Sequence, residues 1–201
     1  MNPYPLLRRA QAIRTGAPRG ARHAQRGLTM IELMVGLTIV TILTTVGVPS
    51  FRNFIADQSR VASTNDLVGA LNLARSEALK LARHVTVCKS NDGQSCGGAS
   101  VDWSDGWIVF ANTSRSNVNV HDTDEPLIRV FAPLDDRVTL ASPDGLDGAI
   151  AFRPTGDLDV SGTLVYCDGR GDANARGVTV ARSGRARVST TTINDEALTC
   201  D

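Results

Sequence analysis

The stretch from Leu28 to Val48 holds 21 residues and a single charge, Glu32. As a helix it is long enough to cross a hydrocarbon layer of about 30 Å. The 27 residues before it contain six arginines (Arg8, Arg9, Arg14, Arg19, Arg22 and Arg26) and no acid. Arginine on one flank holds that flank on the cytoplasmic side. The chain after Val48 is therefore expected on the far side, held by one helix. A secretory signal fits poorly, because its apolar core is shorter, about 7–15 residues, and ends in small residues. Glu32 is out of place in a plain anchor, since a lone carboxylate in lipid costs about 2.5 kcal/mol or more. A partner that neutralises it is expected. Gly36, Thr38, Thr41, Thr44, Thr45 and Gly47 recur along the same segment and let helices approach closely.

The helical pattern continues to about Arg83. Gly47 and Pro49 are expected to bend or loosen it. Beyond Phe51 it turns amphipathic, with Leu67, Leu71, Ala74, Ala78 and Leu81 on one face. Arg52, Asp57, Arg60, Asp66, Arg75, Glu77 and Lys80 fall off that face and read as solvated surface. From His84 the period changes to two. Strands are expected at His84–Cys88, Gly106–Phe110, Leu127–Phe131, Val138–Leu140, Ala149–Phe152 and Thr163–Cys167. A last hairpin, Arg176–Ala181 and Ala186–Thr190, is joined around Ser183-Gly184. The fold class is α+β: one long N-terminal helix, partly transmembrane, packed on an antiparallel β-domain. The divisions are a leader at 1–27, the helix at 28–83 with its membrane part at 28–48, and the β-domain at 84–201.

Net charge is zero over the whole chain, but the leader removes six arginines. The chain after Gly27 has 15 basic and 21 acidic residues, a net of −6. Such a chain is no general nucleic-acid binder, so any such contact must come from a local patch. Cys88, Cys96, Cys167 and Cys200 all lie beyond the apolar run. An even count in an exported domain reads as disulfides, and four cysteines allow three connectivities. The favoured scheme closes a local loop with Cys88–Cys96 and ties the tail to a strand with Cys167–Cys200. A zinc site has little support, because neither the cysteine spacings nor His84 and His121 match ligand patterns. No nucleophile elbow, zinc-protease helix or phosphate-binding loop occurs, so neither catalysis nor a cofactor is expected.

Arg26-Gly27-Leu28-Thr29-Met30-Ile31-Glu32-Leu33 resembles the processing site of type IV prepilins and type II secretion pseudopilins. The resemblance implies cutting after Gly27 by a prepilin peptidase, methylation of the new N-terminus at Leu28, and Glu32 pairing with the terminal amine of a neighbouring pilin. Pro49 matches the family's helix-kinking proline; Leu28 departs from it, since Phe is commoner there. The β-domain is similar to the GspH/FimT group of minor pilins and pseudopilins. This rests on the Cys88-Lys89-Ser90 to Cys96 loop, Trp107–Phe110, the Phe152-Arg153-Pro154-Thr155-Gly156 turn and the closing arginine-rich hairpin. It implies an inner-membrane protein with a periplasmic C-terminal domain. Such a protein later enters a pilus or pseudopilus beside other major and minor pilins, at or near the tip.

The hairpin is the distinctive cluster. Arg170, Arg176, Arg182, Arg185 and Arg187 fall within 18 residues that hold one acid, Asp172. Arg185 and Arg187, two apart, would share a strand face. Planar guanidinium groups suit phosphate oxygens. Gly184-Arg185-Ala186-Arg187 resembles the Gly-Arg-x-Arg sequence of FimT-like pilins linked to DNA uptake in natural transformation. The resemblance implies capture of double-stranded DNA by its backbone, independent of sequence and weakened by salt. The plainer alternative pairs these arginines with Asp157, Asp159, Asp168 or Asp172, or leaves them as a solvated edge. The protein would then be a GspH- or FimU-like subunit acting only in assembly. Arg170-Gly171-Asp172 as an adhesion tripeptide, and Asp122–Glu125 as a calcium loop, carry little weight. Trp103 and Trp107 are expected to pack in the core or against a loop rather than to serve as ligand platforms.

Overall fold

A computed structural model describes residues 27–113, 119–143, 145–146 and 148–200. The leader readings for residues 1–26 lie outside the described residues. Two compact units divide at Gly47 and Val48.

In the first unit, α1 runs Met30–Ile42 and is followed by a π-helical turn, Leu43–Gly47. Neither buries a residue, and the segment is apolar enough to cross a membrane. Its threonines are compatible with lipid because each hydroxyl donates back to its own helix. Thr38 bonds the Met34 carbonyl and Thr41 the Leu37 carbonyl, both at 2.8 Å. Thr44 and Thr45 bond the carbonyls of Val40 and Thr41. The expected loosening falls where Pro49 requires it. Proline has no N–H to donate within a helix, and the π-helical turn lies just ahead of it in the chain.

In the second unit, α2 covers Val48–Leu81 and buries Thr64, Leu67, Ala70, Leu71, Ala74 and Ala78. The alanines let the helix sit close to the strands. The expected face is corrected at its end: Leu81 is 42 % exposed. The helix stops there, two residues before the expected Arg83. Ala82 takes a left-handed φ of 50°, and the Arg83 N–H reaches the Ala78 carbonyl at 3.3 Å. This is a Schellman-type ending without the usual glycine.

Among the described residues eight strands follow: β1 His84–Lys89, β2 Trp107–Asn112, β3 Leu127–Phe131, β4 Val138–Ala141, β5 Ala149–Phe152, β6 Gly162–Asp168, β7 Arg176–Val180 and β8 Ala186–Ser189. They form two four-stranded antiparallel sheets, ordered β3-β2-β1-β5 and β4-β6-β7-β8. Every expected strand is present within two residues at either end. The inner faces of both sheets meet the α2 stripe in one core that includes Leu67, Leu71, Val87, Trp107, Phe152, Leu164 and Val178. Trp103 and Trp107 are both buried in it.

The disulfides are Cys88–Cys96 and Cys167–Cys200. The first closes a loop that Asp92 organises from within. Its carboxylate accepts from the N–H groups of Gln94 and Ser95, both at 2.8 Å, and from the hydroxyls of Ser90 and Ser95. These donors hold it far below the ordinary carboxylate range. The second disulfide ties down the C-terminal tail. Leu198 packs on Val165, Cys167 and Ala175, Ile193 N–H donates to Thr163 Oγ1 at 2.8 Å, and Cys200 N–H donates to Asp172 at 2.8 Å.

Candidate anion-binding hairpin

The hairpin turn closes through Gly184 N–H to the Ala181 carbonyl at 2.8 Å and Ala181 N–H to the Arg185 carbonyl at 3.0 Å. Gly184 sits at φ +74°, the left-handed bulge position at the end of such a turn. The tip is docked. Leu158 N–H donates to the Arg182 carbonyl at 2.8 Å, and Arg75 Nε donates to the Gly156 carbonyl at 3.0 Å. A Cβ on Gly184 would overlap that same carbonyl oxygen and lie 3.0 Å from Arg75 Nε. Gly156, at φ +78°, packs on Leu79 of α2. The turn between β5 and β6, the hairpin tip and α2 therefore interlock at one point. Arg75 is the residue that sequence reasoning misses. It falls off the apolar face, yet it is half-buried and pins the turn rather than facing solvent. Its place next to Ala74 of the buried stripe is the signal available for it.

Arg182, Arg185 and Arg187 are all exposed. β8 begins at Ala186, so Arg185 belongs to the turn and only Arg187 obeys strand alternation. Arg187 lies across from Thr179 and donates from Nε to its hydroxyl at 3.3 Å. With Arg176 it lines an open groove of about 390 Å³ along β8, together with Ser189, Thr190 and Thr191. Arg176 is half-buried and donates to the Ala175 carbonyl.

Arg170 stands apart from this group. It pairs with Asp168 at 2.7 Å and Asp57 at 2.8 Å, and Asp57 also pairs with Arg60 at 3.1 Å. Arg170 holds both carboxyls below their usual range. Arg60 is likewise no solvated helix charge, since it donates to the Asn174 carbonyl at 2.9 Å. This network joins α2 to the loop after β6, and it commits Arg170 structurally. The acids named as rivals for the hairpin are spoken for. Asp157 and Asp159 hold Arg153, Asp168 holds Arg170, and Asp172 accepts from Cys200. Among the described residues, Arg182, Arg185 and Arg187 form no ion pair. The Glu125 carboxylate accepts from Thr113 and Asp122 N–H groups at 2.6 and 3.1 Å, which fastens its own loop. No group of potential metal ligands occurs among the described residues.

At the other end, Gly27 and Leu28 are exposed just before α1. The reading of Glu32 as an isolated carboxylate is corrected. Thr29 and Glu32 form a capping box: Glu32 N–H donates to Thr29 Oγ1, and Thr29 N–H to Glu32 Oε2, each at 3.3 Å. The Thr-x-x-Glu spacing that signals this is legible in the sequence.

Comparison with known proteins places the arrangement. In fold, the chain is similar to the type IV minor pilin FimU of Pseudomonas aeruginosa, with a TM-score of 0.52 at 17 % identity, covering 68 % of this chain and 92 % of that one. Two relatives are type IV major fimbrial proteins FimA of Dichelobacter nodosus. One is 25 % identical over 136 residues, 66 % of this chain and 80 % of the relative. The other is 28 % identical over 105 residues, 52 % and 58 %. The prokaryotic N-terminal methylation motif matches residues 22–48. An apolar helix that carries this motif and leads into antiparallel sheets defines the class of type IV minor pilins and pseudopilins. The family model for the type II transport protein GspH matches residues 63–184, and the chain belongs to the GspH family. That family is one of structural pilins rather than enzymes. The apolar helix and the methylation motif fit anchoring in the inner membrane and incorporation in a pilus.

Proposed function

We propose that this protein is a minor type IV pilin that captures extracellular double-stranded DNA through its β7–β8 hairpin. One observation carries the reading: three exposed arginines, two on a docked tip and one on β8, have no acid paired to them among the described residues, in a chain of net −6 after Gly27. A fixed tip loses little freedom on binding, and guanidinium groups suit phosphate oxygens. Arg182 and Arg185 at the tip and Arg187 on β8 make the contacts, with Arg176 at the groove behind them. No aromatic lies between the arginines in sequence, so base stacking adds nothing and duplex backbone is the ligand.

The test uses the full chain in neutral micelles with a short duplex across a salt series. Arg185→Ala/Arg187→Ala is expected to weaken binding at least tenfold and to lower the salt slope by about 2, one unit per phosphate contact removed. Absence of binding by the unaltered protein at low salt would leave the assembly-only role, with other pilins as its partners.

In assembly, processing after Gly27 frees an amine at Leu28, and Glu32 pairs with that amine on a neighbouring subunit. Glu32→Gln keeps a side chain able to cap Thr29 but lacks the charge. It is expected to be cleaved normally and to be absent from sheared pili, as is Glu32→Ala. Normal incorporation of Glu32→Gln would make capping the whole role of this residue.

A further inference from the structure

Arg75 is half-buried, and only one of its three nitrogens is used in pinning the turn. Nε donates to the Gly156 carbonyl at 3.0 Å. The two Nη groups have no partner among the described residues, and neither is buried without one. Both therefore reach solvent at the end of a side chain whose body is held in place.

The surroundings are short of acid. Asp157 and Asp159, just beyond Gly156, both pair with Arg153. Glu77, two residues along α2, pairs with Lys80 at 3.3 Å. Among the described residues Arg75 forms no ion pair. The described neighbours of Asp144, Asp147 and Asp201 belong to the far ends of the strands. Leu146 and Gly148 precede β5, whose other end leads into Gly156. Cys200 is bonded to Cys167, whereas the hairpin tip adjoins Gly162, at the opposite end of β6.

Gly184 is what brings this guanidinium to the hairpin. A Cβ there would lie 3.0 Å from Arg75 Nε, so its absence lets α2 and the turn touch. Arg185 follows Gly184 in the chain, and Arg182 precedes it by two. Three arginines from two distant segments therefore meet at one glycine. Behind them, Arg187 and Arg176 line the groove along β8. The length of β7 from Arg176 to Val180 is four steps, about 13 Å of strand. The arginines thus mark a track from the groove over the turn to α2, long enough for several phosphates of one strand.

We propose that Arg75 is a phosphate ligand of this surface, so that the DNA backbone crosses the hairpin tip and reaches α2. The inference rests on the DNA reading for its ligand, and it adds a contact from outside the hairpin. Held by its Nε bond, the Arg75 guanidinium presents both Nη groups to one phosphate with little freedom left to lose.

The experiment separates the pin from the ligand. In glutamine Nε2 is bonded to Cδ, as Nε is in arginine. Arg75→Gln therefore keeps a donor for the Gly156 carbonyl and removes the Nη groups and the charge. The full chain in neutral micelles is titrated with a short duplex and with inorganic tripolyphosphate, each across a salt series. Arg75→Gln is expected to melt within about 2 °C of the unaltered protein. It is expected to bind duplex about tenfold more weakly, with a salt slope lower by about one. Tripolyphosphate binding should weaken as well. Arg75→Lys, which keeps the charge, is expected to keep the slope. Loss of duplex binding in Arg185→Ala/Arg187→Ala but not in Arg75→Gln overturns this inference and leaves the hairpin reading intact. Tripolyphosphate binding that Arg75→Gln weakens, with no duplex binding, overturns the DNA reading and leaves Arg75 as an anion ligand. The proposal is overturned if Arg75→Gln matches the unaltered protein with both ligands, or if neither ligand binds.

Discussion

Gly184→Ala is expected to destabilise the β-domain by roughly 3 kcal/mol or more and to abolish the proposed DNA capture while leaving every arginine in place. The left-handed φ of +74° costs an alanine about 1–2 kcal/mol by itself. The larger part is steric. The new methyl would overlap the Gly156 carbonyl oxygen, a backbone atom. That oxygen cannot retreat without breaking its bond from Arg75 Nε, and the hairpin cannot retreat without breaking Leu158 N–H to the Arg182 carbonyl. At about 2–4 °C per kcal/mol for a domain of this size, the melting temperature should fall by about 6–12 °C. Gly171→Ala is the control. Its φ is +78° with nothing within 4 Å of the added methyl, so it isolates the backbone cost. Melting of Gly184→Ala within a degree of Gly171→Ala would show that the tip is not docked as described.

Removing the Cys167–Cys200 bridge, as Cys167→Ala/Cys200→Ala, is expected to cost about 3–4 kcal/mol. The bridge spans 33 residues, and the entropy it removes from the unfolded chain is about 3.7 kcal/mol for a loop of that length. Without it, the contacts of Leu198 and the bond from Cys200 N–H to Asp172 hold the tail alone. The Cys88–Cys96 bridge spans only 8 residues, and the same relation gives it about 2.5 kcal/mol. Denaturant unfolding of the two bridge-deleted forms checks the order. A loss below about 1 kcal/mol for the longer bridge would mean that the tail is held by packing. Because Thr191 of the tail also lines the Arg176–Arg187 groove, the same variant is expected to weaken the proposed DNA binding more mildly than Gly184→Ala does.

Local chemistry explains why so much is legible. A strand declares itself by alternation over five or six residues, and β3 and β5 fall on their expected bounds. The sequence leaves three cysteine pairings open, and the structure adopts the favoured one, Cys88–Cys96 and Cys167–Cys200. Helix capping is equally local, yet the charge of Glu32 in an apolar segment draws the eye to membrane chemistry and away from Thr29. The end of α2 is hidden because Ala82 fills a position where glycine is the usual signal.

The five arginines mark where local reasoning stops. In sequence, Arg170 and Arg182 are equivalent members of one basic stretch. Only the fold brings Asp57, 113 residues away, against Arg170 and sends Asp157 and Asp159 to Arg153, leaving the tip unpaired. The same holds for Arg75, whose carbonyl partner is 81 residues distant. The sequence by itself determined the apolar N-terminal helix, the strand order along the chain and the basic hairpin, because each depends on neighbours within a few residues or on composition. Only the tertiary structure decided which arginines are committed and what locks the hairpin tip. Those outcomes depend on charges and backbone atoms that meet only when distant segments are packed together.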